Sequence, residues 1–189
     1  LTMAPAADWN GTANIMVTVS DGFLGDTSNF ELTFNPVNDA PVITSTADST
    51  ATEDASYSYT ITASDVDGDA LTYSDLTTPS WLSFDTDTHV LSGTPTNDNV
   101  GDHSVVLRVS DGAVDVDQSF TITVSNTNDA PVFTSTPTTS AVEDAEYSYQ
   151  VTSADIDDGD ELSITGELPD WLMLVDNGDG TATISGTPL

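Results

Sequence analysis

The chain has 189 residues, 37% of them hydrophobic, with 32 Asp plus Glu against a single Lys or Arg and a formal net charge of -31. Such acidity excludes nucleic acid and anionic membrane surfaces as partners, because both are bound through Lys and Arg. The absence of Cys excludes disulfides and thiolate metal sites, and with no apolar run of about 18 residues nothing is expected to insert into a membrane.

Strong acidity often accompanies disorder, but here the apolar residues alternate in short runs, as a packed sheet requires. No secretory signal pattern opens the sequence. It begins in mid-pattern, so it reads as part of something longer. Its first segment, Leu1 to Asp8, aligns with Leu91 to Asp98, and residues 1–38 are expected to supply the last two strands of a sandwich. Next come Asn38-Asp39-Ala40-Pro41, with Pro41 at the first residue of a strand, where a missing N–H costs least. After Glu53-Asp54, Tyr57, Tyr59 and Ile61 alternate with Ser58, Thr60 and Thr62, the pattern of a half-buried antiparallel strand. Shorter strands are expected over Leu71 to Ser74, Trp81 to Asp85 and His89 to Ser92. Longer ones carry Val105, Leu107 and Val109, and then Phe120, Ile122 and Val124. No segment reads as a helix.

The pattern then starts again. Asn128-Asp129-Ala130-Pro131, Glu143-Asp144, Tyr147-Ser148-Tyr149 and Trp171-Leu172 each stand 90 residues after their first copies, as Val109-Ser110-Asp111-Gly112 stands after Val19-Ser20-Asp21-Gly22. Ser185-Gly186-Thr187-Pro188 follows Ser92-Gly93-Thr94-Pro95 at 93, which places a small insertion in the last unit. A period of about 90 suits an immunoglobulin-sized sandwich of seven strands. The expected fold is therefore all-β: tandem seven-stranded Greek-key immunoglobulin/cadherin-like β-sandwiches. Residues 1–38 form the end of one repeat, 39–128 a whole repeat, and 129–189 about five strands of a third. Neither partial piece buries its apolar face alone. A chain boundary in an exposed loop is the simpler reading of this split. Strand complementation between molecules, giving a homo-polymer through the end domains, is the sharper one.

Greek-key connectivity sends the acids to the two ends of each unit. Glu53-Asp54 and Asn97-Asp98 fall at the bottom of the whole repeat, and Asp65 to Asp69 and Asp111 at its top. Each hinge therefore collects acids from both sides. At the first junction the candidates are Asp8, Asn38, Asp39, Asp65, Asp67 and Asp111. At the second they are Glu53, Asp98, Asn126, Asn128, Asp129, Asp155 and Asp157. A set of oxygen donors without His or Cys suits Ca2+, which takes 6 to 8 oxygen ligands, better than zinc or copper. Asp65 to Asp69 alone would pass for a turn, but its recurrence as Asp155 to Asp160 beside a second hinge favours metal. It is no EF-hand, since its sixth position is Ala70 and its twelfth Leu76. Asp176 to Gly180 has no counterpart and reads as a hairpin turn.

The hinge motif, Glu53-Asp54, Asp65-x-Asp67, Trp81-Leu82 followed by Leu91-Ser92-Gly93-Thr94-Pro95, and Val109-Ser110-Asp111-Gly112 together resemble cadherin-type repeats. They are more similar still to the dystroglycan-type cadherin-like and putative-immunoglobulin repeats of large bacterial surface proteins. That resemblance implies calcium at the junctions, an extracellular location at the cell surface, neighbouring repeats of the same protein as partners, and work in adhesins. Pro36 and Asn126 stand where cadherin hinges carry Asp, so the first junction is expected to bind calcium more weakly or to hold fewer ions.

Trp81, Trp171 and the four alternating tyrosines read as core rather than as sugar platforms, while Trp9, which faces Asn99 in the repeat alignment, reads as exposed. His89 and His103 do not recur and read as solvated strand residues. Asn10-Gly11-Thr12 matches a glycosylation sequon, a short pattern that occurs by chance. No nucleophile elbow, phosphate loop or His-Asp-Ser set appears, so the expected protein is a structural spacer and not an enzyme. The alternative is a carbohydrate-binding accessory module of a secreted polysaccharide-degrading enzyme.

Overall fold

The computed structural model describes residues 6–189; Leu1 to Pro5 of the opening segment lie outside the described residues. In chain order the strands are β1 (Gly11–Ser20), β2 (Gly25–Phe34), β3 (Val42–Ile43), β4 (Thr50–Thr52), β5 (Tyr57–Thr60), β6 (Ala63–Ser64), β7 (Thr72–Thr77), β8 (Leu82–Asp85), β9 (Val90–Gly93), β10 (Gly101–Ser110), β11 (Asp115–Ser125), β12 (Val132–Phe133), β13 (Tyr147–Ala154), β14 (Leu172–Asp176) and β15 (Thr181–Gly186). A 3-10 turn at Asn97–Asn99 is the sole helical element among the described residues. Two compact units result. The first comprises Leu1–Ser49, described from residue 6, with Tyr57–Gly93 and Asp102–Thr123; the second comprises Thr50–Ser56, Thr94–Gly101 and Val124–Leu189.

In the first unit β1 and β2 pair antiparallel along their whole length, Gly11 opposite Phe34 and Ser20 opposite Gly25. Strands β5, β9 and β8 form one sheet, and β11, β10 and β7 run side by side in another. The expected period-two alternation explains why these layers meet. Tyr57, Tyr59, Ile61, Leu82 and Leu91 are buried from one layer, and Val105, Leu107, Val109 and Ile122 from the other. Polar residues occupy the alternate, outward positions. The layers are joined by Tyr59, whose ring meets Phe120 edge-on at 5.7 Å and whose hydroxyl donates to Gln118 Oε1 at 2.7 Å. Gln118 Nε2 in turn donates to the Ser45 carbonyl at 3.0 Å. This is an Ig/cadherin-like β-sandwich.

The recurring Ser-Gly-Thr-Pro has a steric cause. β8 lies against β9 with Leu82 opposite Gly93, and a Cβ on Gly93 would collide with the Trp81 carbonyl. Gly186 stands in the same relation to the Trp171 carbonyl. The tryptophan and the glycine that follows it, 12 residues on in one copy (93 − 81) and 15 in the other (186 − 171), are one packing unit, which is why they recur together.

The second unit carries the sheet β12-β13-β15-β14. Tyr147 lies opposite Gly186 and Thr152 opposite Thr181. Asp176 to Gly180 makes the tight turn between β14 and β15, as expected, with Gly178 and Gly180 at positive φ. A small core of Val151, Ile164 and Ala182 is flanked by Tyr149, Leu174 and Ile184. Four strands form among residues 129–189 where about five were expected. In the whole repeat β7 is held by pairing with β10, Val109 opposite Tyr73. Residues 161–168 follow the place of β7, have no such neighbour, and are not strand.

The histidines depart from expectation. His89 sits at φ 57 in the turn before β9 and stacks on Tyr73 with ring centroids 3.8 Å apart. His103 meets Trp81 edge-on at 5.8 Å. Both are half-buried aromatic partners rather than solvated strand residues, because each meets a ring from the opposite layer. Trp9 is exposed, as expected, and leans edge-on against Phe34 at 5.1 Å.

Leu107 is fully buried at the centre of the sandwich. Truncating Leu107→Ala should cost about 2–5 kcal/mol, with no gain from relaxation because both layers are pinned by strand pairing. Urea unfolding with the midpoint and slope both fitted is the measurement.

Candidate metal centre

Both units hold close groups of acids. In the second unit, Glu53, Asp129 and Asp157 come from three separate segments, and one carboxylate oxygen of each lies within 4.8 Å of the others. Glu53 is 3% exposed and Asp157 6%. Local backbone explains the placement. Asp54 adopts left-handed geometry, φ 57, and its N–H donates to the Pro95 carbonyl at 2.9 Å while the Glu53 N–H donates to Ser125 at 3.0 Å. This turn delivers Glu53 to the hinge, where its Oε2 accepts the Thr127 N–H at 3.2 Å. Asp157 accepts the Asp129 N–H at 2.6 Å and the Asn97 amide at 2.9 Å, and its own N–H donates to Asp155 Oδ1 at 3.0 Å. A second trio, Asp155, Asp157 and Asp160, is equally close, so Asp157 belongs to both.

In the first unit the trio is Asp65, Asp67 and Asp69. Asp67 accepts the Asp39 N–H at 2.7 Å, the same bond that joins Asp129 to Asp157. Asn38 Nδ2 donates to Asp111 Oδ2 at 3.0 Å, which brings the β10–β11 turn to the hinge. Asp65 Oδ1 caps the loop by accepting from the N–H groups of Asp67 and Gly68, while its Oδ2 is buried with no hydrogen-bond partner. A buried carboxylate oxygen without a hydrogen-bond partner, close to other acids, is a donor that suits a cation.

Of the sequence candidates, Glu53 and Asp129 converge on Asp157, which also meets Asp155; in the other unit Asp65 and Asp67 converge, Asp39 is bonded to Asp67 through its N–H, and Asp111 is bonded to Asn38. Asp8 lies close enough to Asp39 to raise its carboxyl. Asp98 stays exposed in the 3-10 turn, and its neighbour Asn97 makes the contact instead, with Asn126 Oδ1 at 3.5 Å as a weak second acceptor. Asn128 turns its amide to the Asp129 carbonyl at 2.7 Å. Asn97, Asp69 and Asp160 were missed. The two acids end recurring runs of which only the first two acids are sequence candidates.

Among the described residues no Lys or Arg is paired with these groups. Arg108, the one Lys or Arg in the sequence, lies on β10 and is paired with Asp115 at 2.8 Å and Asp117 at 2.7 Å. Two bare carboxylates at about 4 Å repel by roughly 1–4 kcal/mol at dielectrics of 80 to 20, and burial adds to that cost. The hydrogen bonds present offset part of it, and a divalent ion would offset the rest. All available donors are oxygens, so the set fits Ca2+.

The carboxyl of Asp39 is raised above the ordinary 3.8, first by burial and then by Asp8, Asp67 and Asp65. Asp111 is lowered, chiefly by the Val114 N–H and then by the Asn38 amide and the Ala113 N–H. The signs are opposite. Asp39 favours the fold below its unfolded value, and that contribution is lost as pH rises through its folded value; Asp111 favours the fold above its unfolded value and loses that contribution as pH falls through its folded one.

Comparison with known proteins agrees with the fold. The family described as Putative Ig domain matches residues 40–125 and 130–189, and the chain belongs to it. Chitinase A of Pseudoalteromonas piscicida is 33% identical over 134 residues, which is 69% of this chain but only 16% of that chitinase. Among solved structures, protocadherin gamma B7 extracellular cadherin domains 1-4 align over 94% of this chain and 49% of theirs, with a TM-score of 0.54 and 16% identity. Human protocadherin-24 EC1-2 aligns over 79% of this chain and 81% of its own, with a TM-score of 0.50 and 19% identity. Among the described residues no helix is long and apolar enough to cross a membrane.

Two substitutions test the electrostatics. In chelator, Glu53→Gln should raise the melting temperature by relieving repulsion and should abolish most of any rise produced by calcium. Asp39→Asn should likewise stabilise the metal-free protein at neutral pH, with the gain shrinking to nothing on acidification through the carboxylate range. Thermal melts with and without EDTA across pH read both.

Proposed function

We propose that this chain is a run of calcium-rigidified spacer repeats of an extracellular bacterial adhesin or surface filament, with repeat boundaries at 38/39 and 128/129. The observation that carries the reading is the meeting of Glu53, Asp129 and Asp157, drawn from three segments around one hinge with no Lys or Arg to offset them. Glu53, Asp129, Asp155, Asp157 and Asp160 would hold calcium at the second hinge, aided by oxygens of Asn97 and Asn126. Asp39, Asp65, Asp67, Asp69 and Asp111, with Asp8 and Asn38 beside them, would do so at the first. The ion supplies charge neutralisation and a fixed geometry across a short link. Without it the acids repel and the hinge pivots; with it the link stiffens, and a tip domain is held away from the cell.

Calcium sites of extracellular modules work at roughly 10⁻⁴–10⁻³ M, which suits a protein that meets calcium only outside the cell. Catalysis is not part of this reading. The same acids recur at both hinges, whereas a glycosidase needs one pair in one groove. The likeness to a segment of a chitinase supports a second reading, in which the repeats serve as an accessory module of a secreted polysaccharide-degrading enzyme.

At about 100 times its dissociation constant, calcium should add roughly 2.7 kcal/mol to stability, with little effect from equal magnesium because Mg2+ keeps its waters. Calorimetry and small-angle scattering with calcium, magnesium or chelator check this. Melting and scattering that ignore chelator remove the metal assignment, and retention on a glycan array would favour the accessory-module reading.

A further inference from the structure

The β14–β15 hairpin turns through Asp176-Asn177-Gly178-Asp179-Gly180, which has no counterpart in the whole repeat. The extra residues of this unit fall between Trp171, 90 positions after Trp81, and Ser185, 93 after Ser92. Asp176, Asn177, Gly178 and Asp179 are all exposed. So are Asp85 to Thr88, which form the matching turn of the whole repeat, so a turn at this place faces solvent there too.

An Asn followed by Gly is set up to react with its own backbone. The next backbone nitrogen lies one five-membered ring away from the side-chain amide carbon. Ring closure is resisted by the side chain of the following residue, and Gly has none. Gly178 adopts φ 75, and a Cβ there would meet nothing within 4 Å, so the space around the attacking nitrogen is open. Asp176 Oδ1 accepts the Gly178 N–H at 3.2 Å, which polarises that nitrogen. The Asn177 amide is tethered through Nδ2, which donates to Thr181 Oγ1 at 2.8 Å, and its backbone N–H donates to the Thr181 carbonyl at 3.0 Å. No sheet pairing holds Asn177 or Gly178.

We infer that Asn177 is a site of spontaneous deamidation, converting to Asp and isoaspartate through a cyclic imide. Gly178 N bonds to Cγ of Asn177, the Cγ–Nδ2 bond breaks, and Nδ2 leaves as ammonia with the proton that Gly178 N gives up through solvent. Water then opens the imide. Attack at Cγ gives Asp; attack at the Asn177 backbone carbonyl gives isoaspartate, whose main chain runs through Cγ and is longer by an atom. That atom enters the turn that closes on Thr181, so the pairing of Asp176 opposite Ala182 loosens. The other Asn-Gly pair, Asn10-Gly11, is set differently. Gly11 begins β1 in register with Phe34, and the Trp9 ring lies 3.7 Å from its Cβ position, so ladder and ring confine the nitrogen. The Asp-Gly pairs carry carboxylates, which are poorer electrophiles than an amide, and Oδ1 of Asp21, Asp111 and Asp179 each accepts two hydrogen bonds already. The inference stands on the turn alone and does not depend on the metal reading.

The test is prolonged incubation of the 189-residue chain at mildly alkaline pH and body temperature, followed by chymotryptic peptide mapping and an ammonia assay. The Asn177 peptide should gain the mass difference between an amide and an acid and split into two chromatographic species, several-fold ahead of the Asn10 peptide. N177Q, which has to close a larger ring, should release only a small part of the wild-type ammonia while keeping its thermal transition. Hydrogen exchange over β14 and β15 should quicken in the aged wild type and stay unchanged in aged N177Q. An Asn177 peptide that keeps its mass, an Asn10 peptide that converts first, or N177Q releasing as much ammonia as wild type overturns the proposal.

Discussion

Unpaired negative charge is the constraint that shapes this chain. A sandwich made of apolar alternation and Ser/Thr exteriors needs no particular charge, yet 32 acids are distributed here against one arginine. Most face water, where solvation makes them tolerable. At the second hinge two of them do not. Glu53 and Asp157 are buried next to Asp129, and the backbone has been bent to put them there, through the left-handed Asp54 turn and the Asp129 N–H bond to Asp157. Structure that gathers like charges and removes them from water has to be explained by what neutralises them.

The fold was legible in the sequence because two periods were superimposed. The two-residue alternation gave strand faces, and the 90-residue recurrence gave the unit. Tyr57, Tyr59, Leu107 and Ile122 lie buried where alternation put them. The acidic groups were legible through topology: connectivity alone placed Glu53 and Asp157 at a common end. Three features escaped. Asn97 displaced Asp98 because the 3-10 turn rotates the neighbouring side chain inward, which no linear pattern records. Asp69 and Asp160 were hidden within runs whose loop curvature decides which carboxylates converge. His89 and His103 escaped because their ring partners, Tyr73 and Trp81, come from the opposite layer and are distant in sequence.

The repeated geometry also sorts motif from decoration. Trp81 with Gly93 and Trp171 with Gly186 form the same backbone-to-backbone approach, so that pair is structural wherever it occurs. Asp39 on Asp67 and Asp129 on Asp157 form the same hinge bond, so Asn-Asp-Ala-Pro is recognisable as a link that orients two acids. By contrast, Trp9 and the Asp176 to Gly180 turn occur once, and each is accounted for by a local contact.

Arg108 lies in the interior of β10, with β7 and β11 as its neighbours in the sheet and its guanidinium clasped by Asp115 and Asp117. Proteases that cut after basic residues prefer exposed loop tips, and in this sequence the only peptide bond they could address is the one in that strand. The chain also offers no lysine amine to ubiquitin-like tags, glycating sugars or amide crosslinks. A module of this composition is chemically quiet toward a large class of secreted enzymes, and it would persist in a protease-rich medium for as long as β10 stays in its sheet.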